Sequence, residues 1–107
     1  MSPHINDFQI QTNIRGVKAR TLVDHPDAII KTLILDANQA IETHQAPVAV
    51  TFFVLEGSGI ITIGDTPHDV APWHCLECPK NTPMSIRAGS TGMQFLNIKT
   101  PRFIPTK

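Results

Sequence analysis

The sequence has no long apolar run, no excess of charge of either sign and only two cysteines. No apolar stretch approaches the roughly 20 residues that a membrane-spanning helix needs, and the first residues lack the cationic and apolar regions of an export signal. Nine basic side chains balance nine acidic ones, which leaves no electrostatic footprint for nucleic acid or anionic lipid. A small basic cluster of Arg15, Lys18 and Arg20 is interpreted as a solvated strand face. We therefore expect a cytoplasmic protein with neither a membrane nor a nucleic acid as its partner.

The two cysteines form a Cys-x-x-Cys pair, Cys75 and Cys78, inside a run that we interpret as a strand. Three steps along a strand separate the two Cα atoms by about 10 Å, whereas a disulfide requires roughly 4.4–6.8 Å. The second cysteine pair that a structural zinc site would need is absent from the sequence. We expect both residues to be small packing side chains, with Leu76 and Cys78 on the core face.

Signatures of common enzyme classes and of long helices are missing as well. The sequence contains no Ser/His/Asp arrangement, phosphate-binding glycine loop or dinucleotide fingerprint. No window combines helical periodicity with capping residues at its ends. Instead, short apolar runs recur about every ten residues between prolines and glycines, which is typical of an all-β sandwich or barrel. Catalytic residues are not predicted, and the length suits one domain over residues 1–107.

The predicted strands divide this domain into three parts. We expect N-terminal strands within residues 8–23, the barrel core within about residues 28–102 and an extended tail over residues 101–107. The central strand covers residues 48–55 and is followed by a turn at residues 57–59. Both faces of the central strand are apolar, so one face needs a cover from a second sheet or a second subunit. A homodimer is the expected assembly. Further turns are predicted at residues 24–27 and 89–92.

One stretch of the sequence resembles a known motif. The letters F-V-L-E-G-S-G at residues 53–59, followed by I-T-I-G at residues 61–64, are similar to the first conserved motif of small single-domain cupins. Residues 78–83, C-P-K-N-T-P, resemble the turn of the second motif, and residues 95–101 resemble the closing strand. The resemblance implies an all-β double-stranded β-helix, which is a jelly-roll barrel with a pocket on its axis. It also implies a fold that is commonly a homodimer and commonly binds a divalent metal.

The metal site that this resemblance implies can be traced residue by residue. In cupins, a His-x-His pair and a glutamate come from the first motif, and a third histidine comes from the second. In this sequence the positions of the His-x-His pair fall on Glu42 and His44. The position of the glutamate falls on Val50, and that of the third histidine on Met84. Only Glu42 and His44 keep side chains that bind hard or borderline divalent ions, because a thioether is a soft ligand. We expect a metal-free pocket with no cofactor; the alternative is one divalent ion held by His44 and Glu42.

The face that would line the barrel axis is mostly apolar with one polar corner. We place Glu42 and His44 at that corner, since residues two apart share one face of a strand. The apolar part of the ligand pocket is expected to consist of Val50, Phe52, Met84 and Ile86. Such a pocket suits a small, mostly apolar molecule that carries one polar or charged group.

Two other functions stay open at the level of the sequence. The chain could be a divergent metal-dependent cupin enzyme of the oxygenase or isomerase type, anchored by His44. It could also be a cupin whose pocket is vestigial and whose surface binds a partner protein. A barrel filled by Phe52 and Met84 would favour this alternative. Because the fold hosts many activities, only the residues of the site can distinguish among these functions.

Overall fold

Two long, bent strands run through the whole barrel and position everything else. The computed structural model describes residues 1–105, within which it has one 3₁₀ helix and eight strands. Their bounds are Ile5–Asp7 for the helix, and Gln11–Thr12 (β1), Lys18–His25 (β2), Ala28–Leu35 (β3), Ala40–His44 (β4), Ala49–Ile63 (β5), Thr66–Val70 (β6), Cys75–Cys78 (β7) and Met84–Thr100 (β8). In this described part of the chain, no helix has the length and hydropathy to cross a membrane. Residues 106–107 of the predicted tail lie outside the described residues.

The long strands β5 and β8 pair with each other in antiparallel orientation along most of their length. The first half of β5 and the second half of β8 form one sheet. On the β8 side of this sheet, β3, β2 and β1 follow in that order, and on the other side β7 pairs with β5. The second half of β5 and the first half of β8 form the other, flanked by β6 and β4. Both halves contribute to one buried core, so the predicted all-β barrel is confirmed.

The turn predicted at residues 57–59 and the break predicted at residues 89–92 are both wrong, because β5 and β8 continue through them. The glycines there mark a close approach of two strands. A Cβ atom on Gly57 would collide with the carbonyl oxygen of Gly92, and both residues have positive φ. The pairing register also shifts on either side of Gly57. Glycine therefore permits a bulged, bent strand pair at this point rather than a chain reversal.

Most other strand predictions agree with the structure to within a few residues. β3 coincides with the run predicted over residues 28–35. β2 continues through His25, so the turn predicted at residues 24–27 is only two residues long. The predicted N-terminal strands begin later than expected, at Gln11, and a 3₁₀ helix capped by the His4 side chain precedes them at residues 5–7.

The core is formed by the inward-facing residues of the strands on both sides of the barrel. Val50, Phe52 and Val54 on β5 are each at most 1% exposed. The rings of Phe52 and Phe95 lie 5.8 Å apart between centroids, with their planes tilted by 58°. Packed side chains therefore fill the centre of the barrel.

The outer face of β5 is apolar, in agreement with the pattern of residues 48–55. Phe53 and Leu55 are half-buried on that face. The exposed Trp73 ring meets the Phe53 ring edge-on at a centroid distance of 5.9 Å. The homodimer expected from this apolar face stays a prediction.

Cys78 is a packing residue, as predicted, but the same expectation is wrong for Cys75, which is exposed. Cys78 is 0% exposed, and Leu76 packs against the same core. The Cys78 thiol donates to the carbonyl oxygen of Thr82 at a sulfur–oxygen distance of 3.5 Å. Cys75 is exposed, and neither cysteine forms a disulfide.

Candidate functional site

The barrel opens at the end where β4 finishes and β8 nears its C-terminus. Two adjoining cavities lie there, with volumes of about 270 and 220 Å³. Both are lined by Arg15, His44, Lys99 and Pro105, and we call the two together the mouth pocket. The larger cavity is also lined by Thr12, Asn13, Ile14, Lys31, Leu33, Ile41, Ile86, Asn97 and Ile104, and the smaller by Gln45, Ala46, Met84 and Phe103.

Segments from both ends of the chain complete the walls of the mouth pocket. In the N-terminal loop, Asn13 Oδ1 accepts a hydrogen bond from the backbone N–H of Arg15 at 2.9 Å and so shapes the turn that carries this arginine. Residues 103–105 cover the other side. Arg102 anchors that C-terminal segment through an ion pair with Asp24. As far as residue 105, the predicted extended tail therefore lies across the barrel mouth.

Lys99 is the most unusual side chain of the mouth pocket. It lies on β8 two residues after Asn97 and four after the buried Phe95, so it shares their inward-facing side of the strand. Lys99 is half-buried, and within residues 1–105 no carboxylate forms an ion pair with it. Burial, reinforced by the charges of Lys31 and Arg15, lowers the pKa of Lys99 to about 8. An ammonium group is therefore held here at a cost in stability.

The surroundings of the Lys99 ammonium group include an aromatic ring and two further cations. Its Nζ atom lies 5.7 Å from the centre of the Phe103 ring, which is within the range of a cation–π contact. Lys31 stands opposite Asn97 on β3, which makes it a diagonal neighbour of Lys99 at about 7–8 Å between backbones. Arg15 lines the same two cavities. Three cations thus converge on the mouth pocket, and none of its described lining residues is acidic.

His44 reaches the same cavities from the end of β4, just after a bulge in that strand. Its Nδ1 atom lies 2.8 Å from the carbonyl oxygen of Glu42, and because a carbonyl only accepts, Nδ1 carries the proton. Burial lowers the pKa of His44; the Glu42 carbonyl raises it in part, and the charges of Arg15 and Lys99 lower it further. At pH 7 the ring is therefore neutral, and its Nε2 atom is a proton acceptor.

Three of the six residues predicted for the ligand pocket line the mouth pocket. They are His44, Met84 and Ile86. Val50 and Phe52 are 0% and 1% exposed and belong to the core. The exposed Glu42 side chain lines a separate groove beside the exposed Ile60. The backbone carbonyl of Glu42, and not its carboxylate, therefore orients His44.

Of the three cations of the mouth pocket, the sequence pattern draws attention only to Arg15, as a member of a basic cluster, and not to Lys31 or Lys99. Arg15 is exposed, as a solvated residue should be, but it belongs to the loop before β2 and lines the pocket, so its placement on a strand face is wrong. A detectable signal existed for Lys31, which alternates with the buried Ile29 and Leu33 on β3. A lysine at an inward position of an otherwise apolar strand indicates a charge aimed at the barrel interior.

The donors of the mouth pocket do not fit a divalent metal ion. Among the described residues that line it, His44 is the one histidine, and Met84 offers a soft thioether that suits Cu(I) better than harder ions. Residues 1–105 contain no group of three or more His, Cys, Asp or Glu side chains that could hold a metal ion. His68 and His74, which could have completed a set, lie on β6 and on the turn before β7. The neighbouring cations would also repel a metal ion.

No family model and no curated protein matches the chain, but many solved structures do. KdgF from a Halomonas species superimposes with a TM-score of 0.85 at 15% identity, covering 92% of this chain and 90% of that one. An RmlC-like cupin from Shewanella frigidimarina gives a TM-score of 0.84 at 13% identity, with 91% and 86% covered. Bacillus subtilis oxalate decarboxylase, described with Mn(II) centres, gives a TM-score of 0.79 at 22% identity, and the match covers 94% of this chain and 29% of that one.

The chain therefore has the cupin fold, and the double-stranded β-helix that the sequence resemblance implied is confirmed. At these identities the likeness establishes the fold and leaves the activity to the site. The Mn(II) centres are those of the decarboxylase. In the described part of this chain, the matching barrel presents a cationic pocket instead of a cluster of metal ligands.

We expect the purified protein to contain far less than one divalent ion per chain. One imidazole among three cations provides too few ligands for Mn(II) or Zn(II). Elemental mass spectrometry of untagged protein prepared without chelators measures the content directly, before and after loading with excess ion. A stoichiometric ion that disappears in His44→Ala, but persists in His74→Ala, would contradict this expectation.

Proposed function

We propose that the protein binds a small organic anion in the mouth pocket, with the carboxylate of the ligand beside Lys99 and its apolar body against the barrel wall. The observation that carries this proposal is the half-buried Lys99 ammonium, which has no carboxylate partner within residues 1–105. A partly desolvated charge is unfavourable until an opposite charge arrives. An anionic ligand would supply that charge and relieve the repulsion among Lys99, Lys31 and Arg15.

The apolar part of the pocket suits a ligand with a short hydrocarbon body. Leu33, Ile41 and Ile86 line the larger cavity together with the charged groups. Its volume of about 270 Å³ is at or below the lower end of typical ligand sites. A ligand of modest size with one or two carboxylates therefore fits better than a nucleotide or a large cofactor.

Two uncharged polar groups can fix the orientation of such a ligand. His44 offers Nε2 as an acceptor, because its Nδ1 proton is held by the Glu42 carbonyl. Asn97 offers an amide to the same cavity. A hydroxyl or carbonyl group near the carboxylate of the ligand would meet both of them. Small-molecule sites are commonly built this way, from an apolar wall and a few polar contacts.

Titration calorimetry with matched ligand pairs tests this proposal. Each pair consists of a carboxylate and its neutral amide, such as hexanoate with hexanamide and benzoate with benzamide. We expect at least one carboxylate to bind and its amide to bind about tenfold or more weakly, because only the carboxylate pairs with the cations. Lys31→Met should weaken carboxylate binding by about tenfold.

Lys18→Met is the matched control, since Lys18 pairs with Asp36 at 3.6 Å and does not line the pocket. It should bind the carboxylate as the unmodified protein does. Equal affinity for carboxylate and amide would overturn the proposal, as would the failure of every carboxylate in a broad panel to saturate the protein.

A further inference from the structure

We propose that the Lys99 amine forms a reversible imine with a carbonyl group of the bound anion, which makes small 2-oxo acids the ligand class of the mouth pocket. This inference rests on the proposed anion-binding function and adds a covalent step to it. In a 2-oxo acid the carboxylate would lie with Lys31 and Arg15, and the adjacent carbonyl group would take the place beside Lys99. Lys99 then acts as the nucleophile and His44 as the proton carrier.

The position of Lys99 is that of an activated amine. Its Nζ atom lies beside the Phe103 ring, in a half-buried site with Lys31 and Arg15 nearby. Desolvation and neighbouring cations are the two devices that make a lysine nucleophilic at neutral pH. With a pKa of about 8, about a quarter of the Lys99 amines are uncharged at pH 7.5, against about one in a thousand for an ordinary lysine.

The arrangement of charges matches a carboxylate directly attached to a carbonyl. In a 2-oxo acid these groups are on adjacent carbon atoms, so the carboxylate must be held within a few Å of the attacking amine. Lys31 is the diagonal neighbour of Lys99 across β3 and β8, and Arg15 lines both cavities with it. A carboxylate held by these two cations would place its neighbouring carbonyl carbon at Lys99.

The step balances without an oxidant or a second substrate. The Lys99 lone pair adds to the carbonyl carbon, and the π electrons of the C=O bond move to oxygen. A proton passes from nitrogen to that oxygen, giving a carbinolamine. The C–O bond then breaks as the hydroxyl group takes a second proton and leaves as water, while the nitrogen lone pair forms the C=N bond.

His44 can carry the protons in this sequence. Its Nδ1–H is fixed on the Glu42 carbonyl, so Nε2 of the neutral ring can take a proton from the nitrogen and return it to the departing hydroxyl. Asn97 lines the same cavity and can donate a hydrogen bond to the carbonyl oxygen. The products are the imine and one water molecule.

Reductive trapping tests the inference. The protein is incubated with pyruvate and sodium borohydride, and the adduct is located by intact-mass and peptide mass spectrometry. We expect one reduced adduct per chain on Lys99, formed about tenfold or more faster than on the exposed Lys80, because desolvation and neighbouring cations activate the Lys99 amine. Propionate, which has the carboxylate but no ketone, should protect Lys99 by competition.

Two outcomes separate this inference from the proposed function. If carboxylates bind, but pyruvate leaves Lys99 unmodified or labels Lys99 and Lys80 equally, the imine is overturned and anion binding stands. If no carboxylate binds and none protects Lys99, both the imine and the proposed anion-binding function are overturned. Lys99→Arg should keep some propionate binding while losing the adduct, and Lys80→Arg should retain both.

Discussion

Substitution of Phe52 by alanine is expected to lower the free energy of unfolding by about 3–5 kcal/mol. Phe52 is 1% exposed, and its ring packs against Phe95 at a centroid distance of 5.8 Å. Removing the ring would leave a cavity in the middle of the barrel, since β5 is fixed between two neighbouring strands and cannot collapse inward. Urea denaturation followed by circular dichroism measures the loss.

Phe53→Ala is the matched control for this substitution. Phe53 is the next residue on the same strand but points to the outer face, where it is half-buried. Its truncation should cost less, on the order of 1 kcal/mol. Should Phe52→Ala keep nearly full stability and lose ligand binding instead, Phe52 would be a pocket wall, as the sequence pattern predicted.

Lys99→Met is expected to abolish carboxylate binding while making the fold more stable. Loss of the charge should weaken binding by a factor of about 100 or more, because removing one partner of a buried charge pair costs roughly 2–5 kcal/mol. The methionine side chain keeps much of the length of lysine and adds no charge to the half-buried site. Calorimetry with the best carboxylate of the panel measures the affinity, and Lys80→Met is the control.

The stability effect of Lys99→Met has a definite pH dependence. The pKa of Lys99 is lower in the folded protein, at about 8, than the ordinary lysine value of 10.5 expected in the unfolded chain. Below pH 8 both states are protonated, so the folded state carries the full penalty, on the order of 1–3 kcal/mol after screening. Between pH 8 and 10.5 the unfolded state holds more protons, so the penalty declines as the pH rises.

We therefore expect Lys99→Met to exceed the unmodified protein in stability at pH 7 and to equal it near pH 10.5. His44 and Arg15 face Lys99 from other elements and Lys31 from β3, and all three are present in both proteins. Chemical denaturation at several pH values gives the difference directly. A difference that is constant with pH would mean that Lys99 is not desolvated.

The barrel itself was predictable because its signals are local. The β-branched run over residues 48–55 identifies a buried strand, and the motif at residues 53–59 resembles cupins closely enough to indicate the fold. The glycines of that motif predict a turn, whereas β5 continues through them. In a sequence, a glycine that lets a distant strand approach closely cannot be distinguished from a glycine that reverses the chain. Gly57 is of the first kind because it packs against Gly92, which lies far along the sequence.

The site was only half predictable for a related reason. His44 and Ile86 could be assigned to the barrel mouth from alternation and motif spacing, and both line it. Arg15 and Lys99 lie 84 positions apart, and only the closure of the barrel brings them to one cavity. Alternation along a single strand can indicate that a charge points inward, but it cannot show that three such charges meet.

The pKa of Lys99 is the most direct test of an anion site built around this residue. NMR titration of ¹³C-labelled lysine side chains measures it, with Lys99→Arg assigning the resonance. A pKa of about 8 in the free protein, rising when a carboxylate saturates the pocket, is the expected result. A value near 10.5 that no carboxylate changes would show that Lys99 is solvated and that the mouth pocket is not an anion site.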